Sequence, residues 1–287
     1  MKVQKIAVIG AGTMGHGIAQ VSAMAGFQVN IVDVDEAQLK QADKKIKEKL
    51  QKGVDLGKID IGLMETSLQR LNGFTDLPLA VQDVDLVIES VPEDLRLKQS
   101  IFRKCDEVCP TFTILATNTS TMSPGEIGSI TKRPHQVIAM HFFNPVHLMK
   151  LVEVIRSLDT SDETLNVVLE VAARMGKETV VVNESPGFIT SRISALVGNE
   201  AFYMLMEGVA SAADIDRAIK LGLNYPMGPL ELADLVGLDV RLRNLQYLHQ
   251  TLGEKFRPCP LLIKYVQAGR LGRKSGRGIY DYDRKDA

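Results

Sequence analysis

The order of apolar and polar positions divides the chain into short runs and helical stripes. Lys5–Ile9 is an apolar run that ends in glycines, and residues 13–25 carry apolar side chains at helical spacing. Gln28–Val32 is a second run, closed by Asp33. Strand, glycine turn, helix and strand within about 30 residues make one βαβ unit. Over residues 35–52, Leu39, Ala42, Ile46 and Leu50 fall along one helix face. Gly53 and Gly57 interrupt that pattern, and a further helix is predicted over residues 58–70. So long an excursion before the next strand predicts a helical pair that projects from the sheet.

Further strands are predicted over residues 85–90, 113–117, 137–141, 150–155 and 179–182, with helices over 95–108 and 162–175. Strands alternating with helices predict a doubly wound, Rossmann-like α/β sheet. After Val182 the pattern changes. Asn183-Glu184-Ser185-Pro186-Gly187 is rich in turn formers, and no strand-like run follows it. Ile193, Leu196, Val197, Ala201, Met204 and Leu205 have helical spacing, and residues 212–221 and 230–252 read as helices too. The expected organisation is an α/β domain over residues 1–185 and an all-α domain over 186–287. Several of the later helices are apolar on more than one face. A small helical domain cannot bury all of that surface alone, which predicts a homodimer.

Composition narrows the function classes. The 287 residues suffice for two cores. A formal net charge of −1 gives no general attraction to nucleic acid or to an anionic membrane, and neither is expected as a partner. No apolar run approaches the roughly 20 residues that cross a bilayer. The opening MKVQKIAVIGAG lacks the apolar stretch and cleavage site of a secretory signal. Three cysteines, Cys105, Cys109 and Cys259, show no paired metal spacing. Packing in a reducing cytoplasm, with no metal, is the expectation.

Gly10-Ala11-Gly12-Thr13-Met14-Gly15 is a G-x-G-x-x-G placed after a strand and at the start of a helix, the context in which that pattern binds a dinucleotide. Gly10 permits the tight turn, Gly12 admits a pyrophosphate, Gly15 allows close packing, and the anion sits at the positive end of the helix. Asp33 ends the second strand, where a carboxylate accepts from the ribose hydroxyls and repels a 2′-phosphate. Val34 follows it, not arginine, so NAD is expected rather than NADP. Pro92-Glu93 and Asn118-Thr119-Ser120 follow later strands, at the edge where such sheets bind ligands. Each of these polar residues reads equally well as a cap or turn former.

His141 ends an apolar strand on the same sheet edge as Ser120, and Glu153 belongs to the next strand. A carboxylate beside an imidazole orients the ring, fixes its tautomer and stabilises the imidazolium formed when it takes a proton. Oxidation of an alcohol by NAD needs such a base. His16, His135, His147 and His249 read as structural or surface residues.

The blocks VIGAGTMGHGIAQ, ATNTSTMSPGEI, MHFFNPVHLMKLVEVI, PGFITSRI, PMGPLELADLVGLD and GRKSGRGIYDY together resemble the L-3-hydroxyacyl-CoA dehydrogenase family, and within it the short-chain bacterial members. They cover nearly the whole chain, in order, and the HFFNP block is far more specific than the glycine motif. The resemblance implies an NAD-binding domain with a helical hairpin, an α-helical dimerising domain and an acyl-CoA substrate. It implies His141 as the catalytic base, Glu153 as its partner and Ser120 as the hydroxyl that contacts the substrate's 3-oxygen. Glu93, Lys98, Asn118 and Lys274 match cofactor-contacting positions beside Asp33, and Asn144 of HFFNP matches a substrate-contacting one. Lys44, Lys45, Lys47, Lys49 and Lys52 give one helix a basic side, and Lys49 and Lys52 fall near positions that hold the phosphates of coenzyme A. The chain departs from the family at Ser191, where members often carry a substrate-holding asparagine, and at Tyr225, where histidine is frequent. Serine is shorter and can act through water.

The activity expected is NAD-dependent interconversion of (S)-3-hydroxyacyl-CoA and 3-ketoacyl-CoA, in fatty-acid and butanoate metabolism. One alternative is a related NAD-dependent dehydrogenase of hydroxy acids or sugar acids, which would share the glycine motif but has no use for the basic helix. An alternative of another class is a non-catalytic NAD-binding structural protein, which has no need of Ser120, His141 and Glu153 together.

Overall fold

The structure, a computed structural model, describes residues 2–282. They fall into two compact units that divide between Ser185 and Pro186. In the first, strands β1 (Lys5–Ile9), β2 (Gln28–Val32), β3 (Leu71–Phe74), β4 (Leu86–Glu89), β5 (Ile114–Thr117), β6 (Val137–Phe142), β7 (Leu151–Arg156) and β8 (Glu178–Asn183) alternate with helices. The helices are α1 (Gly15–Met24), α2 (Glu36–Asp55), α3 (Ile61–Gln69), α4 (Leu77–Val81), α5 (Leu95–Val108), α6 (Pro124–Gly128) and α7 (Asp162–Arg174). The second unit contains α8 (Thr190–Met206), α9 (Ala212–Gly222), α10 (Pro229–Val236), α11 (Leu238–Leu252) and α12 (Pro260–Gln267).

The sheet has the order β3-β2-β1-β4-β5-β6-β7-β8. Strands β1 to β6 pair in parallel, β6 and β7 pair antiparallel, and β8 runs parallel to β7. The central strands are apolar up to their last residues, Glu89 and Thr117, because helices cover both faces. Ile6 and Val8 turn toward a core shared with Ile18 of α1, Ile46 of α2 and Val168 of α7. Ala7 and Ile9 turn the other way, toward Val81, Phe102 and Ile127 of α4, α5 and α6. Strand alternation thus assigns each helix a face.

Three local expectations change. The first concerns the pair α2–α3, which packs against α1. Ala42, Ile46 and Leu50 are buried in the same core as α1 and β2, and only the lysine-rich side of α2 faces out. Strand β3 was not expected. Leu71-Asn72-Gly73-Phe74 lacks alternation and is stabilised mainly by pairing with β2. The single helix predicted over 230–252 is broken at Gly237, whose φ of +104° lies outside the helical region.

In the second unit two buried aspartates explain two of the sequence blocks. Asp216 accepts from the backbone N–H of Leu230 (2.8 Å) and Glu231 (2.9 Å) at the start of α10. Asp234 accepts from the N–H of Ile279 and Tyr280 (3.0 Å each), which holds the GRKSGRGIYDY segment to α10. All three cysteines are buried and unbridged. Among the described residues, no helix is long and apolar enough to cross a membrane, and no group of three or more His, Cys, Asp or Glu is placed to hold a metal.

Candidate active site

The loop after β1 is held by close approaches. Gly10 has φ of +97°, and a Cβ there would lie 2.7 Å from the carbonyl oxygen of Ser90. A Cβ on Gly15 would lie 1.7 Å from the Gly10 carbonyl oxygen, so Gly15 is required by the loop closing on itself. At Gly12 nothing lies within 4 Å. That open cradle, with Thr13 and Met14, sits at the N-terminal end of α1, where N–H groups and the helix dipole favour an anion. A cavity of about 670 Å³ opens there, lined among others by Gly10, Gly12, Thr13, Asp33, Ser90 and Pro92.

Asp33 Oδ2 accepts from the Ala11 N–H (2.8 Å), and Oδ1 from the Asp35 N–H (3.1 Å). Each carboxylate oxygen retains a further lone pair for a ribose hydroxyl. Asp33 therefore fixes the glycine loop as well as lining the cavity. An open cradle over Gly12 with a carboxylate at its β2 end fits a dinucleotide such as NAD. Lys45 and Gln41 of α2 also line the cavity. Sequence reading gave them no cofactor role. Their common face with Gln38, at positions 38, 41 and 45 of a helix that follows Asp33, was the available signal.

Beyond β4 and β5 the polar residues are tightly linked. Glu93 Oε1 accepts from the Thr119 hydroxyl (2.5 Å), the Ser120 N–H (2.8 Å) and, more weakly, the Ser120 hydroxyl (3.4 Å). Burial alone would raise the Glu93 pKa, but the Lys98 charge and these hydrogen bonds outweigh it and hold the carboxyl below its ordinary range. Asn118 joins the strand ends, its Oδ1 accepting from the Phe142 N–H (2.9 Å) and its Nδ2 donating to Ser90 Oγ (3.3 Å).

Lys98 differs from its expectation as a cofactor contact. It is fully buried, and its ammonium donates to Glu89 Oε1 (2.8 Å) and the Val91 carbonyl (3.3 Å) and pairs with Glu93 Oε2 (3.1 Å). It supports Glu93 from beneath. Burial would lower its pKa, but the charges of Glu89 and Glu93 more than offset that, and the ammonium is held above its ordinary value.

His141 and Glu153 are register partners across the antiparallel β6–β7 pair. His141 Nδ1 lies 2.8 Å from Glu153 Oε2, with Glu153 1 % and His141 7 % exposed. An ionised carboxylate only accepts, so Nδ1 is the donor in this bond. The Phe143 ring lies 4.5 Å from the imidazole, centroid to centroid. Asn144 follows in the exposed turn and forms a cis peptide with Pro145.

Of the basic residues, Lys49 is drawn inward. Its ammonium donates to His16 Nε2 (2.8 Å), and His16 Nδ1 donates to the Gly12 carbonyl (2.7 Å). Burial and the Lys45 charge hold Lys49 below its usual pKa. His16, expected to be merely structural, thus links α2 to the glycine loop. Lys52 is exposed, while Lys47 pairs with Asp43 and Lys44 with Glu48. In the second unit Ser191 is half-buried in the first turn of α8, and Lys274 pairs with Asp239 at 2.5 Å.

Comparison with known proteins agrees with this geometry. The profile of the 3-hydroxyacyl-CoA dehydrogenase NAD binding domain matches residues 5–185, and that of the 3-hydroxyacyl-CoA dehydrogenase C-terminal domain matches residues 187–282. A 3-hydroxybutyryl-CoA dehydrogenase of Bradyrhizobium diazoefficiens is 44 % identical over 98 % of this chain and 96 % of its own length. One from Clostridioides difficile is 44 % identical over 98 % of this chain and 100 % of its own. The crystal structure of (S)-3-hydroxybutyryl-CoA dehydrogenase from Ralstonia eutropha superposes with a TM-score of 0.94, at 39 % identity, over 99 % of this chain and 100 % of that one. With both domains matched and full-length relatives at this identity, the chain belongs to the 3-hydroxyacyl-CoA dehydrogenase family and is an NAD-dependent dehydrogenase.

Proposed function

We propose that the protein interconverts (S)-3-hydroxyacyl-CoA and 3-ketoacyl-CoA, with 3-hydroxybutyryl-CoA and acetoacetyl-CoA as the principal pair. The observation that carries this reading is the buried His141–Glu153 bond at the sheet edge that also holds Ser120. In the oxidative direction His141 Nε2 takes the hydroxyl proton, and Glu153 stabilises the imidazolium that results. Ser120, its loop fixed by Glu93, donates to the 3-oxygen. NAD, when bound, would supply the acceptor for the hydride that leaves C3. Glu93 and Asn118 would support it at the strand ends, and Asp33 would hold its adenosine ribose. In the reductive direction His141 returns the proton. A homodimer built through the second unit accords with its exposed apolar side chains, among them Leu221 at 75 % and Leu223 at 61 %. A cytoplasmic setting accords with three unbridged cysteines.

The test is NADH consumption with acetoacetyl-CoA, with NADPH in parallel. Turnover with NADH and at least tenfold less with NADPH is the expected result. Activity only with free hydroxy acids or their ketones would overturn the substrate, and a preference for NADPH would mean that Lys45 outweighs Asp33.

For the anionic end of coenzyme A the favoured residue is Lys49. Among the described residues it has no carboxylate within 4 Å, and Lys45 lies close enough to perturb it. Lys49→Ala is expected to raise KM for acetoacetyl-CoA about tenfold, the loss of one charge-assisted hydrogen bond, with kcat nearly unchanged. Lys52→Ala should act weakly. Equal KM values for wild type and Lys49→Ala would remove Lys49 from the binding site.

A further inference from the structure

Glu89 is the last residue of β4, fully buried, and has no direct place in the proposed chemistry. Its carboxylate accepts from three donors: the Val91 N–H (2.7 Å) and Lys98 ammonium (2.8 Å) at Oε1, and the Thr117 hydroxyl (2.7 Å) at Oε2. Both oxygens face donors, the arrangement that suits a carboxylate anion. Glu93 is ionised too, for the reason given above. Between them stands one cation, Lys98, paired with both. Among the described residues no other cation pairs with either carboxylate. The cluster therefore carries an uncompensated negative charge. A buried net charge is costly, and packing alone does not require it, since an amide at position 89 has nearly the same shape.

The location of that charge gives it a use. Asp33 fixes the adenosine end of the dinucleotide on the β2 side of the glycine loop, so its nicotinamide end extends to the β4–β5 side, toward Ser120 and His141. This placement rests on the reading given under Proposed function. The nicotinamide ring is cationic when oxidised and neutral when reduced. We propose that Glu89 supplies the excess negative charge that weights the site toward the oxidised cofactor and so sets the balance between NAD⁺ and NADH affinity. Thr117 and Lys98 hold that carboxylate in place. The excess belongs to the cluster, since Lys98 pairs with both carboxylates, at 2.8 Å from Glu89 and 3.1 Å from Glu93, and removal of the Glu89 charge leaves the cluster neutral.

The measurement is the ratio of dissociation constants, Kd(NAD⁺)/Kd(NADH), from NADH fluorescence titration and NAD⁺ competition at equilibrium. Wild type, Glu89→Gln and Thr117→Val are compared. Removing one buried charge at a range of about 10 Å is expected to raise the ratio about tenfold in Glu89→Gln. Thr117→Val, which keeps the charge, should leave it within about twofold of wild type. If Glu89→Gln does not fold, Lys98→Met at low temperature and about pH 8, where the carboxyls are most fully ionised, provides the opposite test, because loss of the cation is expected to lower the ratio. A ratio unmoved in Glu89→Gln, with both affinities shifting together, overturns the proposal and leaves Glu89 a structural support. Wild-type protein that binds neither nucleotide overturns the functional reading and this proposal with it.

Discussion

His141→Ala is expected to lower kcat for acetoacetyl-CoA reduction by about a thousandfold while the dissociation constant of NADH changes less than about twofold. The magnitude follows from what the residue supplies. General acid–base catalysis by a positioned side chain contributes roughly 10²–10⁴, and Nε2 of His141 is the group oriented for it. The proposed cofactor contacts Gly12, Asp33, Glu93 and Asn118 follow β1, β2, β4 and β5, away from His141, so NADH binding should survive. Glu153→Gln is expected to fall between, at about a 10–100-fold loss, because the ring remains hydrogen-bonded but its positive form loses a buried counter-charge. Single-turnover rates with saturating NADH and acetoacetyl-CoA check both variants. If His141→Ala retains more than a tenth of wild-type kcat, the proton is handled elsewhere and the proposed mechanism fails. If NADH binding collapses together with kcat, the histidine is holding the fold rather than the proton.

Lys98→Met is expected to destabilise the protein by about 3–5 kcal/mol, the usual result of removing one partner from a buried ion pair. For a unit of this size that is a fall of roughly 10 °C in the midpoint of thermal unfolding. Glu89 and Glu93 would then share a buried site with no cation. The pH dependence gives the sharper check. Glu93 in the native protein titrates below its ordinary 4.5, so the stability it contributes is whole above that value and lost as pH falls. Lys98 titrates above its ordinary 10.5, so its contribution is whole below that value and lost as pH rises through its native pKa. Wild type should therefore show a broad plateau between. In Lys98→Met the deficit should be largest near neutral pH and should shrink below about pH 5, where the carboxyls protonate and no longer need a partner. A deficit independent of pH would mean that Lys98 acts through packing of its aliphatic stem alone.

What the sequence made legible follows the range of the interactions concerned. The glycine loop, β1, β2 and the base pair on β6 and β7 are set by patterns within a dozen or so residues. Adjacent strands allowed His141 and Glu153 to lie side by side, and the antiparallel register of β6 and β7 makes them direct partners. Strand β3 was missed because its four residues have little local preference, and its pairing with β2 comes from tertiary structure. The break at Gly237 was missed because the apolar stripe continues across it, although the glycine was in view. Lys98 was placed in the site by resemblance, but whether its ammonium faces the cavity or the interior depends on where Glu89 and Glu93 stand. They precede it by only 9 and 5 residues, and the turn from β4 into α5, not distance along the chain, decides it. His16 looked inert because its partner Lys49 is 33 residues away.

The reversal of strand direction between β6 and β7 has a consequence for folding order. Parallel neighbours need a crossover, whereas an antiparallel pair can close through a short connection. His141 and Glu153 are 12 residues apart, while the bond from Lys5 to Asp85 that ties β1 to β4 spans 80. Loop-closure entropy and contact order favour the shorter closure, so the proton-handling pair can assemble as a local hairpin before the nucleotide cradle exists. The proposed proton transfer is thus encoded in a nearly self-contained stretch of chain. The specificity for its cofactor has to wait for the rest of the sheet.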